Sequence, residues 1–182
     1  VDHELRDAFW DPGDITSRFS EVHVPAIHLG GWYDIFTQGT IEGFKGYQYH
    51  GGEGAKGNSK LIMGPWVHEG YLGEWSGDYY YPNQSPGIML AVTDALLEAW
   101  LLDNFTRWEM LPTVAFYLMS SLQDPPFDIA NNWYQADAWP IPFTPKTMYL
   151  FENGSLLEQQ PSTDTGAISY FCLLYTSPSP RD

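Results

Sequence analysis

The chain has 182 residues, 43% hydrophobic and 16% aromatic, which excludes a disordered chain and allows one domain or parts of two. Its formal net charge of −15, with only 8 Lys and Arg, excludes a nucleic-acid partner, because phosphate binding needs clustered cations. No apolar run approaches the roughly 20 residues that span a bilayer, and the single cysteine, Cys172, excludes an internal disulfide.

The chain opens at Val1 without a signal peptide, which points to a truncated sequence and leaves localisation open. Residues 1–22 are polar and mixed, with a turn at 10–14. Asp14 or Thr16 is placed to cap a short helical turn running through Phe19. Residues 24–29 form a continuous apolar run, the pattern of a parallel strand covered on both faces. Residues 35–47 carry Phe36, Ile41, Phe44 and Tyr47 at helical spacing, although Gly39, Gly43 and Gly46 weaken a helix there. A Gly-rich loop over 51–57 leads to a second strand at 61–63. Strand, helix and strand with short connections make a βαβ unit with a right-handed crossover.

Residues 69–85 read as an aromatic, irregular loop ending in Ser85-Pro86, a helix cap with proline in the first turn. The helix over 86–104 bears Ile88, Val92, Leu96 and Trp100 on one stripe and Leu90, Leu97 and Leu101 on the next. Much of its circumference is therefore expected to be buried. Beyond Leu111 the pattern becomes strand-like, first over 113–119. Residues 147–151 and 155–157 then flank Asn153-Gly154 as a β-hairpin. A βα region followed by strands implies two domains: 1–108, an α/β part, and 109–171, an all-β part, with a boundary near Trp108. Residues 172–182 fit neither and look like translated vector or adaptor sequence.

The first strand delivers a carboxylate, Asp34, through Gly30-Gly31-Trp32-Tyr33-Asp34. The second delivers an imidazole, His68, through Gly64-Pro65-Trp66-Val67-His68. Acyl transfer by a serine needs a base for the hydroxyl proton and an acid that fixes the imidazole tautomer. In an α/β-hydrolase these follow the serine in the order acid, then histidine, each after a parallel strand. Asp34 and His68 match that order. Spacing alone equally allows Asp34 as a turn residue and His68 as a packed one. His28 sits mid-strand and reads as a satisfied core residue, while His3, His23 and His50 read as surface residues. Tyr33, Phe36 and Trp66 flank the pair and are candidates to line a substrate pocket, a position core packing would also explain. His68-Glu69 lacks the second histidine of H-E-x-x-H, and no ligand cluster surrounds it, so a metal reading is the weaker one. A nucleophile elbow is absent: neither Ser59 nor Ser76 has glycines at the required offsets.

At these motifs the sequence resembles the CocE/NonD (cocaine-esterase-like) hydrolases, relatives of X-Pro dipeptidyl-peptidases and α-amino-acid ester hydrolases. The resemblance implies that Asp34, after Gly-Gly-Trp-Tyr, is the triad acid, and that His68, closing Gly-Pro-Trp-x-His, is the triad base. It implies the C-terminal part of an α/β-hydrolase domain, ending in the helix with Ala99-Trp100-Leu101. The start of a jelly-roll β-sandwich follows, with its first strand over 112–119 and tryptophans matching Trp133 and Trp139. Ser120 departs from the family's glycine, and the pattern breaks off after Tyr170. The implied activity is that of a serine hydrolase acting on a small ester, amide or short X-Pro peptide, with no metal or organic cofactor implied. Its serine lies outside this chain, so the fragment alone is expected to be inactive. The alternative is a non-catalytic carbohydrate- or peptide-binding β-sandwich module, supported by the aromatic-rich C-terminal part.

Overall fold

The computed structural model describes residues 3, 5–68, 73, 75–83, 87–119 and 131–162. The Ser85-Pro86 cap, Ser120 and the 172–182 segment lie outside the described residues. Two compact units divide at Ile141 and Pro142.

In the first unit, strand β1 (Ile27–Gly31) starts later than the apolar run, since Pro25 has no N–H to give a ladder. Helix α1 (Thr37–His50) then crosses to strand β2 (Lys60–Gly64), which pairs parallel to β1 from Ile27↔Lys60 to Gly31↔Gly64. The βαβ unit read from the sequence is therefore present. Two of the glycines that weaken α1 are contact points. A Cβ on Gly43 would lie 3.3 Å from the His28 ring, and one on Gly46 would lie 2.2 Å from the Phe19 ring. Close packing outweighs a helix-propensity cost of about 1 kcal/mol each.

Side chains alternate across β2. Leu61 and Met63 pack with Phe44 of α1 and with Val114, whereas Ile62 packs with Trp66 and with Val92 on helix α2 (Ile88–Leu102). A short hairpin, β3 (Trp75–Ser76) with β4 (Tyr79–Tyr80), replaces part of the irregular loop expected over 69–85. Gly77, at φ 61°, makes its turn. Helix α2 ends at Asp103 in the left-handed region, and a further short helix α3 (Thr106–Met110), unforeseen in the sequence, buries Trp108.

Strand β5 (Val114–Leu118) pairs parallel to β2, from Leu61↔Val114 to Met63↔Phe116. Strand β6 (Asn132–Ala136) pairs antiparallel to β5 and closes a sheet of order β1-β2-β5-β6. The sheet thus runs through the boundary read near Trp108, and the first compact unit continues to Ile141. Trp32 Nε1 donates to the Tyr117 carbonyl, and Tyr49 exchanges two hydrogen bonds with the Trp139 backbone, tying β1 and α1 to this later segment. In the second unit, β7 (Tyr149–Leu150) and β8 (Leu156–Leu157) form the expected hairpin, with Gly154 at φ 82° and Asn153 Oδ1 accepting from Ser155.

Three expectations need correction. Asp14 Oδ1 accepts from the Thr16 N–H and hydroxyl in a local turn, and the helical turn nearby begins at Phe19 instead of ending there. The stripe Leu90, Leu97 and Leu101 is exposed; Val92, Ala95 and Ala99 are the residues of α2 that are buried. His28 is not a satisfied core residue, because its Nε2 is buried without a hydrogen-bond partner among the described residues.

Burial lowers the His28 pKa from 6.5 to about 4. Between those values the unfolded chain binds the proton more readily, so stability is complete above pH 6.5 and falls as the pH drops towards 4. The total loss is roughly 3 kcal/mol at 1.36 kcal/mol per pKa unit. A His28→Leu variant is expected to flatten this window in urea titrations from pH 7 to pH 4. An unchanged slope would show that other groups set the acid limb.

Candidate active site

Asp34 and His68 follow the C-terminal ends of adjacent parallel strands, which places their backbones side by side. Trp32 N–H donates to the Gly64 carbonyl at 2.9 Å, and Tyr33 N–H to the Trp66 carbonyl at 3.1 Å, so the β1–β2 ladder continues into both turns. Asp34 N–H returns to the Gly31 carbonyl at 3.1 Å, and the Thr37 hydroxyl caps the Gly31 and Asp34 carbonyls as α1 begins. Gly31 permits this approach, because a Cβ there would lie 2.0 Å from the Trp66 carbonyl oxygen. Gly31→Ala is therefore expected to force the two turns apart, at about 1–3 kcal/mol for overpacking. Thermal unfolding of the variant, read beside the His68 imidazole NMR signals, checks this. Unshifted signals would mean that the turns tolerate the methyl group.

The two side chains meet. His68 Nδ1 lies 3.0 Å from Asp34 Oδ2, with the Asp34 side chain 9% exposed and that of His68 63% exposed. Asp34 Oδ1 accepts the Phe36 N–H at 2.9 Å at the start of α1. Desolvation raises the Asp34 pKa, but the Phe36 N–H and the His68 imidazole outweigh it, and the carboxyl sits below its ordinary value. An ionised carboxylate only accepts hydrogen bonds, so Nδ1 carries the proton of neutral His68 and Nε2 is left as a free base. The Phe36 ring packs against the imidazole at 5.1 Å between centroids.

A cavity of about 340 Å³ opens beside the pair. It is lined by Leu29, Gly30, Gly31, Asp34, Phe36, Thr40, Trp66, Val67 and His68. Of the candidate pocket residues, Phe36 and Trp66 line it. Tyr33 does not; its hydroxyl is hydrogen-bonded to that of buried Tyr81. Thr40 and Val67 were missed, although Thr40 stands one helical turn beyond Phe36 on the same face of α1.

The β3–β4 hairpin braces both turns. The Ser76 hydroxyl donates to the Pro65 carbonyl, Tyr81 holds Tyr33, and the Tyr117 hydroxyl donates to the Pro82 carbonyl at 2.6 Å. Burial raises the pKa of both Tyr81 and Tyr117, so these phenols stay neutral. Ser76 is thereby engaged in structure. Ser59 is fully buried and does not line the cavity. Among the described residues no group of three or more His, Cys, Asp or Glu is arranged to hold a metal ion, and no helix is long and apolar enough to cross a membrane.

Comparisons bear on this geometry. Residues 1–70, which contain both Asp34 and His68, match the model of the X-Pro dipeptidyl-peptidase (S15) family. Among solved structures, two of a CocE/NonD family hydrolase from Staphylococcus aureus share this fold, each with a TM-score of 0.59. They are 19% and 20% identical to the chain and cover 88% and 89% of it. The chain spans 25% of the length of each of those structures. A search of curated proteins finds no match. The S15 match and the CocE/NonD fold likeness converge on the family that the Asp34 and His68 motifs resemble.

Proposed function

We propose that this chain supplies the acid and the base of a Ser-Asp-His acyl hydrolase of the S15 and CocE/NonD kind, whose serine lies elsewhere in the intact protein. One observation carries the reading: the Nδ1–Oδ2 pair at 3.0 Å, held at the ends of two adjacent parallel strands, with the imidazole open to an adjoining cavity. A packed structural histidine would be covered. This one is 63% exposed, while its acid is almost enclosed.

In this reading a serine hydroxyl approaches Nε2 of His68 and attacks an ester or amide carbonyl. His68 takes the hydroxyl proton and then delivers it to the leaving alcohol or amine. Asp34 keeps the Nδ1 proton in place and stabilises the imidazolium. Water repeats the cycle on the acyl-enzyme. Phe36 and Trp66 bound the cavity in which the substrate sits, and small esters, amides and X-Pro peptides are the substrate classes. Residues from 109 onward begin a jelly-roll β-sandwich, a reading supported by β5, β6 and the β7–β8 hairpin and qualified by β5 also belonging to the α/β sheet. The 182-residue chain alone is inactive, for want of a nucleophile.

The test uses the intact protein, treated with a fluorophosphonate and assayed on p-nitrophenyl acetate and an X-Pro p-nitroanilide. A single serine outside this chain should be labelled, and His68→Ala should abolish both labelling and turnover. A folded intact protein that neither labels nor hydrolyses either substrate refutes the reading.

A further inference from the structure

A second cavity, of about 240 Å³, opens on the α2 face of the sheet. It shares no lining residue with the cavity beside Asp34 and His68. Ile62 of β2, Ala115 of β5 and Trp133 of β6 line it from the sheet, and Ile88 and Val92 line it from α2. The small side chains of Ala91 and Ala115, both in the lining, leave the space open.

One cation belongs to this mostly apolar wall. Lys60 lies two residues before Ile62 and so on the same face of β2, at the end of the strand remote from His68. Its ammonium donates to the Leu111 carbonyl at 2.8 Å and stands 5.2 Å from the centre of the Trp108 ring. No carboxylate pairs with it among the described residues, although the chain carries 23 acidic residues against 8 basic ones. An ammonium has three protons to donate, and among the described residues the Leu111 carbonyl is the acceptor it meets. Partial burial lowers the pKa of Lys60, the sign of a charge without full compensation.

We infer that this cavity binds a small monocarboxylate with an apolar body, its carboxylate on the Lys60 ammonium and its body against Ile62, Val92 and Trp133. Charge selects the anion, since among the described residues the ammonium has no partner of opposite sign. Size selects the body: the volume is below the roughly 300–1,000 Å³ of sites for drug-sized ligands. It exceeds the about 150 Å³ cavity that holds benzene, so one ring or a short chain fits. The exposed amide of Gln135, also in the lining, is a second donor for the carboxylate. This site stands whether or not the protein is a hydrolase.

Calorimetric titration of the intact protein with phenylacetate, and with 2-phenylethanol as its uncharged counterpart, tests the inference. Saturable binding of the acid in preference to the alcohol is expected. Lys60→Met should weaken the acid about tenfold, the value of one charge-assisted hydrogen bond, and leave the alcohol within about twofold. Ala115→Leu should abolish both. His68→Ala should change neither, which separates this site from the candidate active site. Equal affinity of the unsubstituted protein for acid and alcohol, or no saturable binding, overturns the inference without any variant. Loss of phenylacetate on His68→Ala in place of Lys60→Met overturns it too.

Discussion

Asparagine in place of Asp34 is expected, under the proposed acyl-hydrolase mechanism, to lower kcat of the intact protein about 10⁴-fold while leaving KM nearly unchanged. The substitution keeps the shape of the side chain and changes only which atoms donate. The Phe36 N–H occupies one carboxylate oxygen of Asp34 and would select the amide oxygen of the asparagine. The amide NH₂ then faces His68 Nδ1, where Asp34 Oδ2 now stands at 3.0 Å. Nδ1 must accept, its proton moves to Nε2, and the nitrogen that takes the serine proton in the proposed mechanism already holds one. Steady-state hydrolysis measures the loss, and ¹⁵N NMR of the imidazole reports the tautomer directly. A folded Asp34→Asn enzyme with less than about tenfold loss would remove Asp34 from the acid's role.

The largest effect on stability is expected at Phe44, where truncation to alanine should cost about 3–5 kcal/mol. The ring is fully buried on α1 against Leu61, Met63 and Val114, residues of two different strands, and its edges meet His28 and Tyr49. Backbone hydrogen bonds hold α1 and the strands around it, so the site cannot collapse onto the void, and the cavity term adds to the transfer term. Denaturant unfolding of the intact protein gives the number. A change below about 1 kcal/mol would mean that the α1 face carries little of the core.

The βαβ unit was legible because each of its parts has a local signal: two apolar runs, a helix-spaced row between them, and glycines at the turns. The meeting of Asp34 with His68 was legible for a related reason, since a parallel strand delivers whatever follows it to one edge of the sheet. Tyr33 shows the limit. It adjoins Asp34 in sequence, yet its hydroxyl is held by Tyr81, and nothing in the spacing of the two residues announces that contact. The same holds for β5: an apolar run at 113–119 says strand, but its parallel pairing with Leu61–Met63 is a long-range choice. The stripe of Leu90, Leu97 and Leu101 shows a third kind of gap. Periodicity identifies an apolar face without identifying what covers it, and in the described structure that face is open. His28 reversed its reading because an apolar strand context predicts burial but says nothing about a partner for Nε2.

The hydroxyl of Tyr49 clasps the backbone of Trp139 across 90 residues of chain, and the indole of Trp32 reaches Tyr117 across 85. On the ribosome these clasps come late. The strand and helix that present Asp34 and His68 emerge early, but they wait without their long-range fasteners until residue 139 has left the exit tunnel. During that interval an exposed strand edge and unfilled apolar faces invite the wrong partners, so slow synthesis beyond His68 lengthens the period of risk. A polypeptide cut at residue 108, where composition alone draws a boundary, would keep both halves of the Asp34–His68 pair and never receive the groups that lock its frame.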